Sequence, residues 1–193
     1  MTWIKTIPIT EASPELLSAI EEQAKLYPVE YKTHVESLVE YENPANGPGI
    51  VMAHSLLPDT LKHTFSTLGT LLSPDLPLSR REHEMIAATV SSINSCFYWV
   101  ESHSEFLRRA TLDESLAKAI KQDYRQAELS DRERAMLDYT AKLTKEPWNI
   151  QRDDIEKLRE QGFDDKSILQ INLIASYFNY INRVADGLGV GRL

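Results

Sequence analysis

The side chains able to do chemistry gather between residues 79 and 109. Cys96 is the only cysteine, and His103 follows it by seven residues. A helix advancing about 100° per residue returns such a pair to nearly one face, two turns apart, so a thiol and a base can meet. The run Ser79-Arg80-Arg81-Glu82 has the form of a capping box, in which the serine oxygen takes the N–H three residues on and the glutamate bonds back. Glu84 rides on the helix that this box opens and is the third candidate group. Asn94 or Ser95 is suited to cap the next helix, which would set Cys96 in its first turn. There, unsatisfied N–H groups and the helix dipole favour the thiolate, the nucleophilic form. The competing reading is that a free cysteine is a small, buried, inert apolar group. His103 would serve as general base or proton relay with one ring nitrogen basic; alternatively it is a core histidine bonded to Glu84.

Tyr98 and Trp99 lie between thiol and imidazole. Tyr98 is expected to pack. Trp99 brings a large ring and one N–H donor, and is expected to fill a substrate cavity rather than line it as an aromatic pocket. If Cys96 is oxidised, the product is a sulfenic acid with no second thiol in its own chain. Reduction would then need an external thiol or Cys96 of a neighbouring chain. His34, His54, His63, His83 and His103 are scattered without H-x-x-x-H or C-x-x-C spacing, so neither a metal nor a cofactor is expected. No phosphate loop or Ser-His-Asp motif is visible. Arg80-Arg81 and Arg108-Arg109 read as solvated helix ends, and Asn179, Asn182 and Arg183 as a polar structural network with a pocket lining as the alternative.

The elements that must position these groups are helical. Glycine is scarce and apolar residues recur at spacings of three and four, which predicts an all-α fold. After an irregular start with Trp3, Ile4 and Ile7, Ser13-Pro14-Glu15 opens a helix with Leu16, Leu17, Ile20 and Ala24 as its buried stripe. Pro28 ends it. A second helix is expected from about Glu30 to Tyr41, with Tyr31, His34, Val35, Leu38 and Val39 inside. Residues 42–49 carry the strongest loop signal, rich in Asn, Pro and Gly. Two short helices follow, the second entered at Pro58 and carrying Leu61, Phe65, Leu68, Leu71 and Leu72, before the linker Pro74-Asp75-Leu76-Pro77. Residues 129–136 echo residues 78–85 at a spacing of 51, sharing leucine, serine, arginine, glutamate and methionine, capping box included. A duplicated helical hairpin is a plausible origin. Capping accounts for Glu82 and Glu133 but not for Glu84, whose counterpart is Ala135. Farther on, Pro147 ends a helix, Asp153 to Gln161 form another closed by Gly162, and Asp164 or Asp165 caps a long one bearing Ile168, Ile171, Leu173, Ile174, Tyr177, Phe178 and Ile181. Being apolar on more than one side, that last helix is either central or packed on another subunit.

Composition sets the outer limits. With 193 residues, 42% of them hydrophobic, the chain can bury one core, so a single domain is expected, with 1–73 as an N-terminal helical layer and 74–193 as the core. Its 21 basic against 29 acidic residues, a net charge of −8, argue against a nucleic-acid or anionic-membrane surface. No stretch approaches a membrane span and the start lacks a signal-peptide pattern, so a cytoplasmic protein is expected.

The span from Leu78 to His103, L-S-R-R-E-H-E-M-I-A-A-T-V-S-S-I-N-S-C-F-Y-W-V-E-S-H, resembles the core of the AhpD-like (alkylhydroperoxidase, carboxymuconolactone decarboxylase) superfamily, in its peroxidase-related branch. The pattern there is a glutamate, eleven residues, then C-x-x-C-x-x-x-H. Glu84, Cys96 and His103 fall on the glutamate, the first cysteine and the histidine; Trp99 stands at the second cysteine. For Tyr98 the resemblance also implies, as the alternative to packing, a hydroxyl donated to the site. The likeness runs from Ala53-His54-Ser55-Leu56-Leu57-Pro58 to the closing segment from Tyr177 to Val190, which includes the N-R-x-A-D-x-L of Asn182 to Leu188. It implies a homo-oligomeric all-α oxidoreductase acting on small peroxides with an external thiol reductant. The second cysteine is the one held to attack peroxide in that family, so the resemblance also implies altered chemistry. Three readings follow from it: a one-cysteine peroxidase with Cys96, His103 and Glu84 in the reaction; a non-catalytic scaffold or small-ligand binder closed by Trp99; and non-redox chemistry like that of the decarboxylase relatives.

Overall fold

A computed structural model of the chain describes residues 2–42 and 47–192, and among these the regular structure is helical, with no strand. Residues 43–46 of the expected loop lie outside the described residues. The chain divides into two compact units, Met1–Ser73 with Arg183–Leu193, and Pro74–Asn182.

In the first unit, α1 (Pro14–Ala24) starts as the sequence requires, with the Ser13 oxygen accepting from the Leu16 N–H. It buries Leu16, Ala19 and Gln23 rather than the expected stripe; Leu17 and Ile20 are half-buried and Ala24 exposed. After the single turn α2 (Gly49–Met52), α3 (Pro58–Leu71) packs on α1 and buries Leu61, Phe65 and Leu68. At fourteen residues it is not short. Gly69 admits Leu26, whose Cβ lies where a side chain on that glycine would meet it at 2.5 Å. The helix expected over 30–41 is absent. Two 3₁₀ turns, Val29–Lys32 and Glu36–Leu38, stand there instead, with Thr33 and Val35 extended and no side chain capping either turn. Four β-branched residues (Val29, Thr33, Val35, Val39) weaken a helix with no cap to start it. Only Val35 and Leu38 are buried.

The second unit holds α4 (Arg80–Ile93), α5 (Phe97–Thr111), α6 (Glu114–Asp123), α7 (Asp131–Lys145), α8 (Arg152–Glu160) and the part of α9 (Asp165–Leu188) up to Asn182. Helix α4 is its centre. Every residue from Glu82 to Ser91 is buried, and α5, α6 and α7 all pack on it. Both expected capping boxes form, at Ser79/Glu82 and Ser130/Glu133. They are also cross-linked reciprocally: Arg81 Nε donates to Glu133 at 2.6 Å and Arg132 Nε to Glu82 at 3.2 Å. The arginine of each box thus pairs with the glutamate of the other, an arrangement that a two-fold relation between the helix starts produces. Asp164, not Asp165, caps α9, accepting from the Ser167 N–H at 2.8 Å.

The link from α4 to α5 is a Schellman turn. Ser95 N–H bonds the Ser92 carbonyl and Cys96 N–H the Ser91 carbonyl, with Ser95 in the left-handed region at φ 55°. Glycine usually takes that position, as Gly162 does at the end of α8.

Candidate functional site

Glu84 and His103 meet. Helix α4 presents the carboxylate and α5 the ring, and His103 Nδ1–H donates to Glu84 Oε2 at 2.6 Å, with both side chains fully buried. This bond fixes the proton on Nδ1 and makes Nε2 the ring's basic nitrogen. Arg80 Nη2 donates to the other carboxylate oxygen, Oε1. Arg80 is therefore part of the site and not simply a solvated helix end; its side chain is one-quarter exposed while Glu84 is sealed. The buried anion is compensated on both sides, which a desolvated carboxylate requires. The i,i+4 spacing of Arg80 and Glu84 was the signal for this pair.

Around the imidazole stands a box of aromatic rings. Trp99 stacks on His103 at 5.2 Å between ring centroids and 28° between planes, while Phe178 and Phe106 approach edge-on at 4.5 and 5.4 Å. Phe106 and Phe178 are site residues that the motif spacing does not mark. Tyr98 is buried and sits edge-on to Trp99 at 5.2 Å.

Cys96 departs from expectation. It is itself the N-cap of α5 rather than a first-turn residue, because Asn94 and Ser95 are spent on the turn that closes α4. Its side chain makes no cap bond; the fully buried thiol donates to the Asn182 carbonyl with sulfur to oxygen 3.7 Å. Trp99 Nε1–H donates to the preceding carbonyl, Ile181, at 3.2 Å. Two side chains three residues apart on α5 are thus pinned to consecutive carbonyls of α9.

The asparagines of α9 form the expected polar network. Asn94 Nδ2 donates to the side-chain oxygens of Asn179 (3.2 Å) and Asn182 (3.1 Å); Asn182 donates to Ser91 and Asn179 to Thr144. Arg183 is exposed. A further buried histidine, His83, was not singled out by spacing. Its Nδ1 accepts from Arg80 Nη1 at 3.2 Å, and its Nε2 lies 2.9 Å from the side-chain amide of Gln170. Burial first, and the Arg80 charge second, push its pKa down to about 4, so this ring is neutral. Among the described residues no group of three or more His, Cys, Asp or Glu is placed to hold a metal, and no helix is long and apolar enough to cross a membrane.

Comparison with known proteins places the chain. No protein-family model and no curated protein matches it. Among solved structures, an uncharacterized peroxidase-related protein from Silicibacter sp. TM1040 is 31% identical, with a TM-score of 0.76 over 98% of this chain and 90% of that one. The alkylhydroperoxidase AhpD core of an uncharacterized peroxidase-related protein from Ralstonia eutropha JMP134 is 25% identical, with a TM-score of 0.79 over the same shares. A debrominase, Bmp8, shares the fold at 13% identity and a TM-score of 0.75, over 98% and 91%. With nearly its whole length matched at that identity and with the all-α fold in common, the chain belongs to the AhpD-like, peroxidase-related family.

Proposed function

We propose that this chain is a peroxidase-related oxidoreductase working in one-cysteine form in the cytoplasm, with Cys96 as the oxidised thiol, His103 as base and Glu84 as the group that orients it. The observation that carries the reading is the 2.6 Å bond between two fully buried side chains, Glu84 and His103, backed by Arg80. A carboxylate and an imidazole are costly to desolvate together, and a proton-handling pair is a reason to do so. In the reaction, Cys96 gives its proton to the base and its sulfur attacks one oxygen of the hydroperoxide. The O–O bond breaks, the alkoxide leaves as the alcohol with that proton, and Cys96 becomes a sulfenic acid. Two external thiols then reduce it, yielding their disulfide, water and the Cys96 thiol. Trp99 occupies the second-cysteine position of the motif, so no disulfide closes within the chain, and the indole over His103 slows entry of oxidant.

The sealed thiol supports a second reading. With Cys96 fully buried and donating to Asn182, the architecture could serve as a scaffold without turnover. Stopped-flow consumption of cumene hydroperoxide in the presence of dithiothreitol separates the two. Wild type is expected to be slow yet faster than Cys96→Ser, and Trp99→Cys faster than wild type. Wild type and Cys96→Ser at one background rate would remove the oxidoreductase reading and leave the scaffold.

A further inference from the structure

The state of the His103 ring depends on how the charge of its buried partner is balanced. Glu84 and His103 are both fully buried, and a net charge on two such side chains is unfavourable. A Glu84 carboxylate beside a neutral imidazole leaves one negative charge in the interior. A proton can cancel it in two ways, as an imidazolium facing the carboxylate or as a carboxylic acid donating to Nδ1. The two forms differ only in where the proton between oxygen and Nδ1 sits. In both of them Nε2 carries a hydrogen, and a nitrogen so protonated cannot accept another.

Arg80 brings a positive charge to the same carboxylate. Its Nη2 donates to Glu84 Oε1 while His103 Nδ1–H holds Oε2, so both oxygens are engaged. Arg80 Nη1 donates to His83 Nδ1 at 3.2 Å, and His83, its pKa pushed down to about 4, adds no charge of its own. The rings packed on His103, those of Trp99, Phe106 and Phe178, are uncharged as well. Two features distinguish this arginine from an ordinary helix-surface partner. Arg152 and Glu156 share the i,i+4 spacing, but they are 3.6 Å apart and 89% and 42% exposed, whereas Arg80 is one-quarter exposed and Glu84 sealed. Arg80 is also the first residue of α4, where the helix dipole disfavours a cation, so the stability of that helix gives no reason for it.

We propose that Arg80 is a positioning residue for the base: its charge takes the place of a proton on His103 Nε2, so the buried pair is balanced with that nitrogen left as an acceptor. Its part in turnover rests on the reading of His103 as base; its effect on the ring does not. The test is nitrogen NMR of the histidine rings in full-length protein near neutral pH, with His103 assigned by the signal lost in His103→Gln. Wild type should show a hydrogen on Nδ1 and none on Nε2. Arg80→Gln should place a hydrogen on Nε2. Arg80→Lys keeps the charge without the planar fork, and Arg80→Gln/Glu84→Gln leaves no anion to balance; both should keep Nε2 free of hydrogen. A merely structural role would disturb the Gln and Lys variants alike and would not be reversed by removing the anion. Cumene hydroperoxide turnover in Arg80→Gln should fall about a hundredfold, or to the rate of Cys96→Ser, as expected when a general base is lost. An Nε2 without hydrogen in Arg80→Gln would overturn the assignment. So would an Nε2 hydrogen in wild type, Arg80→Lys or the double variant, which decide the matter even if Arg80→Gln does not fold. The expected ring states combined with wild-type turnover no faster than Cys96→Ser would remove the oxidoreductase reading and leave the charge assignment standing.

Discussion

Truncating Trp99 tests how tightly the indole seals the imidazole. The side chain is 5% exposed, stacks on His103, meets Phe178 edge-on at 5.6 Å and donates to the Ile181 carbonyl. Trp99→Ala removes about 140 Å³ of side chain, and at ~24 cal/mol per Å³ of unfilled cavity this costs about 3 kcal/mol. Losing the hydrogen bond to Ile181 adds about 1 kcal/mol. The expected loss is therefore about 4 kcal/mol, inside the range seen for buried aromatic truncations. Trp99→Phe keeps a ring over His103 and gives up the N–H and some volume, so it should lose about 2 kcal/mol. Urea unfolding is the assay, with helix dichroism and tyrosine absorbance required to give one transition before a free energy is extracted. Tryptophan emission also helps, because Trp3 and Trp148 are 64% and 75% exposed and leave Trp99 as the one buried indole. A loss below about 1.5 kcal/mol for Trp99→Ala, or equal losses for Ala and Phe, would refute the claim that the indole fills a packed space beside the imidazole.

Four further outcomes are expected. Arg132→Ala should cost more stability in urea than Arg81→Ala, which should stay within about 1 kcal/mol, because Arg132 also lies 3.5 Å over the Phe163 ring and donates to the Gln161 carbonyl; equal costs would contradict this. Ser95→Gly should raise stability by about 0.5–1 kcal/mol, since Ser95 holds a left-handed conformation at φ 55°, and a loss would show that the serine side chain matters more than its backbone. His83 is held near pKa 4 when folded, below its unfolded value of about 6.5, so the unfolded chain binds the proton first. The stability from keeping this ring neutral is complete above about pH 6.5 and declines as pH falls towards 4, and His83→Gln should flatten the urea midpoint across that window. Finally, Leu169, Leu173 and Tyr180 project from one side of α9 at 57%, 42% and 47% exposure, and self-association is expected there. Light scattering should report a mass above 22.0 kDa that falls to it in Leu169→Glu/Leu173→Glu; a wild-type monomer at all concentrations would exclude the contact.

Helix starts were the most legible feature of the sequence because capping is a local matter. Ser13, Ser79, Ser130 and Asp164 each accept the N–H three residues on, as their neighbours implied. Burial was less legible, since periodicity locates an apolar stripe but not the surface that covers it. Tyr31, His34, Val35 and Leu38 are spaced as in a helix, yet uncapped and β-branched stretches resolve as separate turns. In α1 the stripe rotates onto Ala19 and Gln23 because α3 fits there. The central place of α4 was hidden too. Its sequence carries His83, Glu82, Glu84, Thr89 and Ser91, which reads as a surface face, and only partners distant in the chain make those residues buried.

At the site, the pair was readable and the thiol was not, and the difference is physical. Glu84 and His103 each sit mid-helix, where direction follows from position, so neighbouring antiparallel helices bring them together once both are helical. Cys96 sits at a corner. Its direction depends on whether Ser95 takes a right-handed or left-handed φ, a choice of roughly 1–2 kcal/mol that sequence pattern does not reveal. The left-handed choice closes α4 by a Schellman turn and hands Cys96 to the carbonyls of α9 rather than to the N–H groups of α5. The Cys96 thiol and the Trp99 indole are thereby both tied to α9, through the adjacent carbonyls of Asn182 and Ile181. Any movement that frees the thiol for an oxidant must loosen the same short stretch of α9 that anchors the indole, so a substitution at Trp99 should change how fast a thiol reagent labels Cys96 even though the two side chains serve different parts of the site.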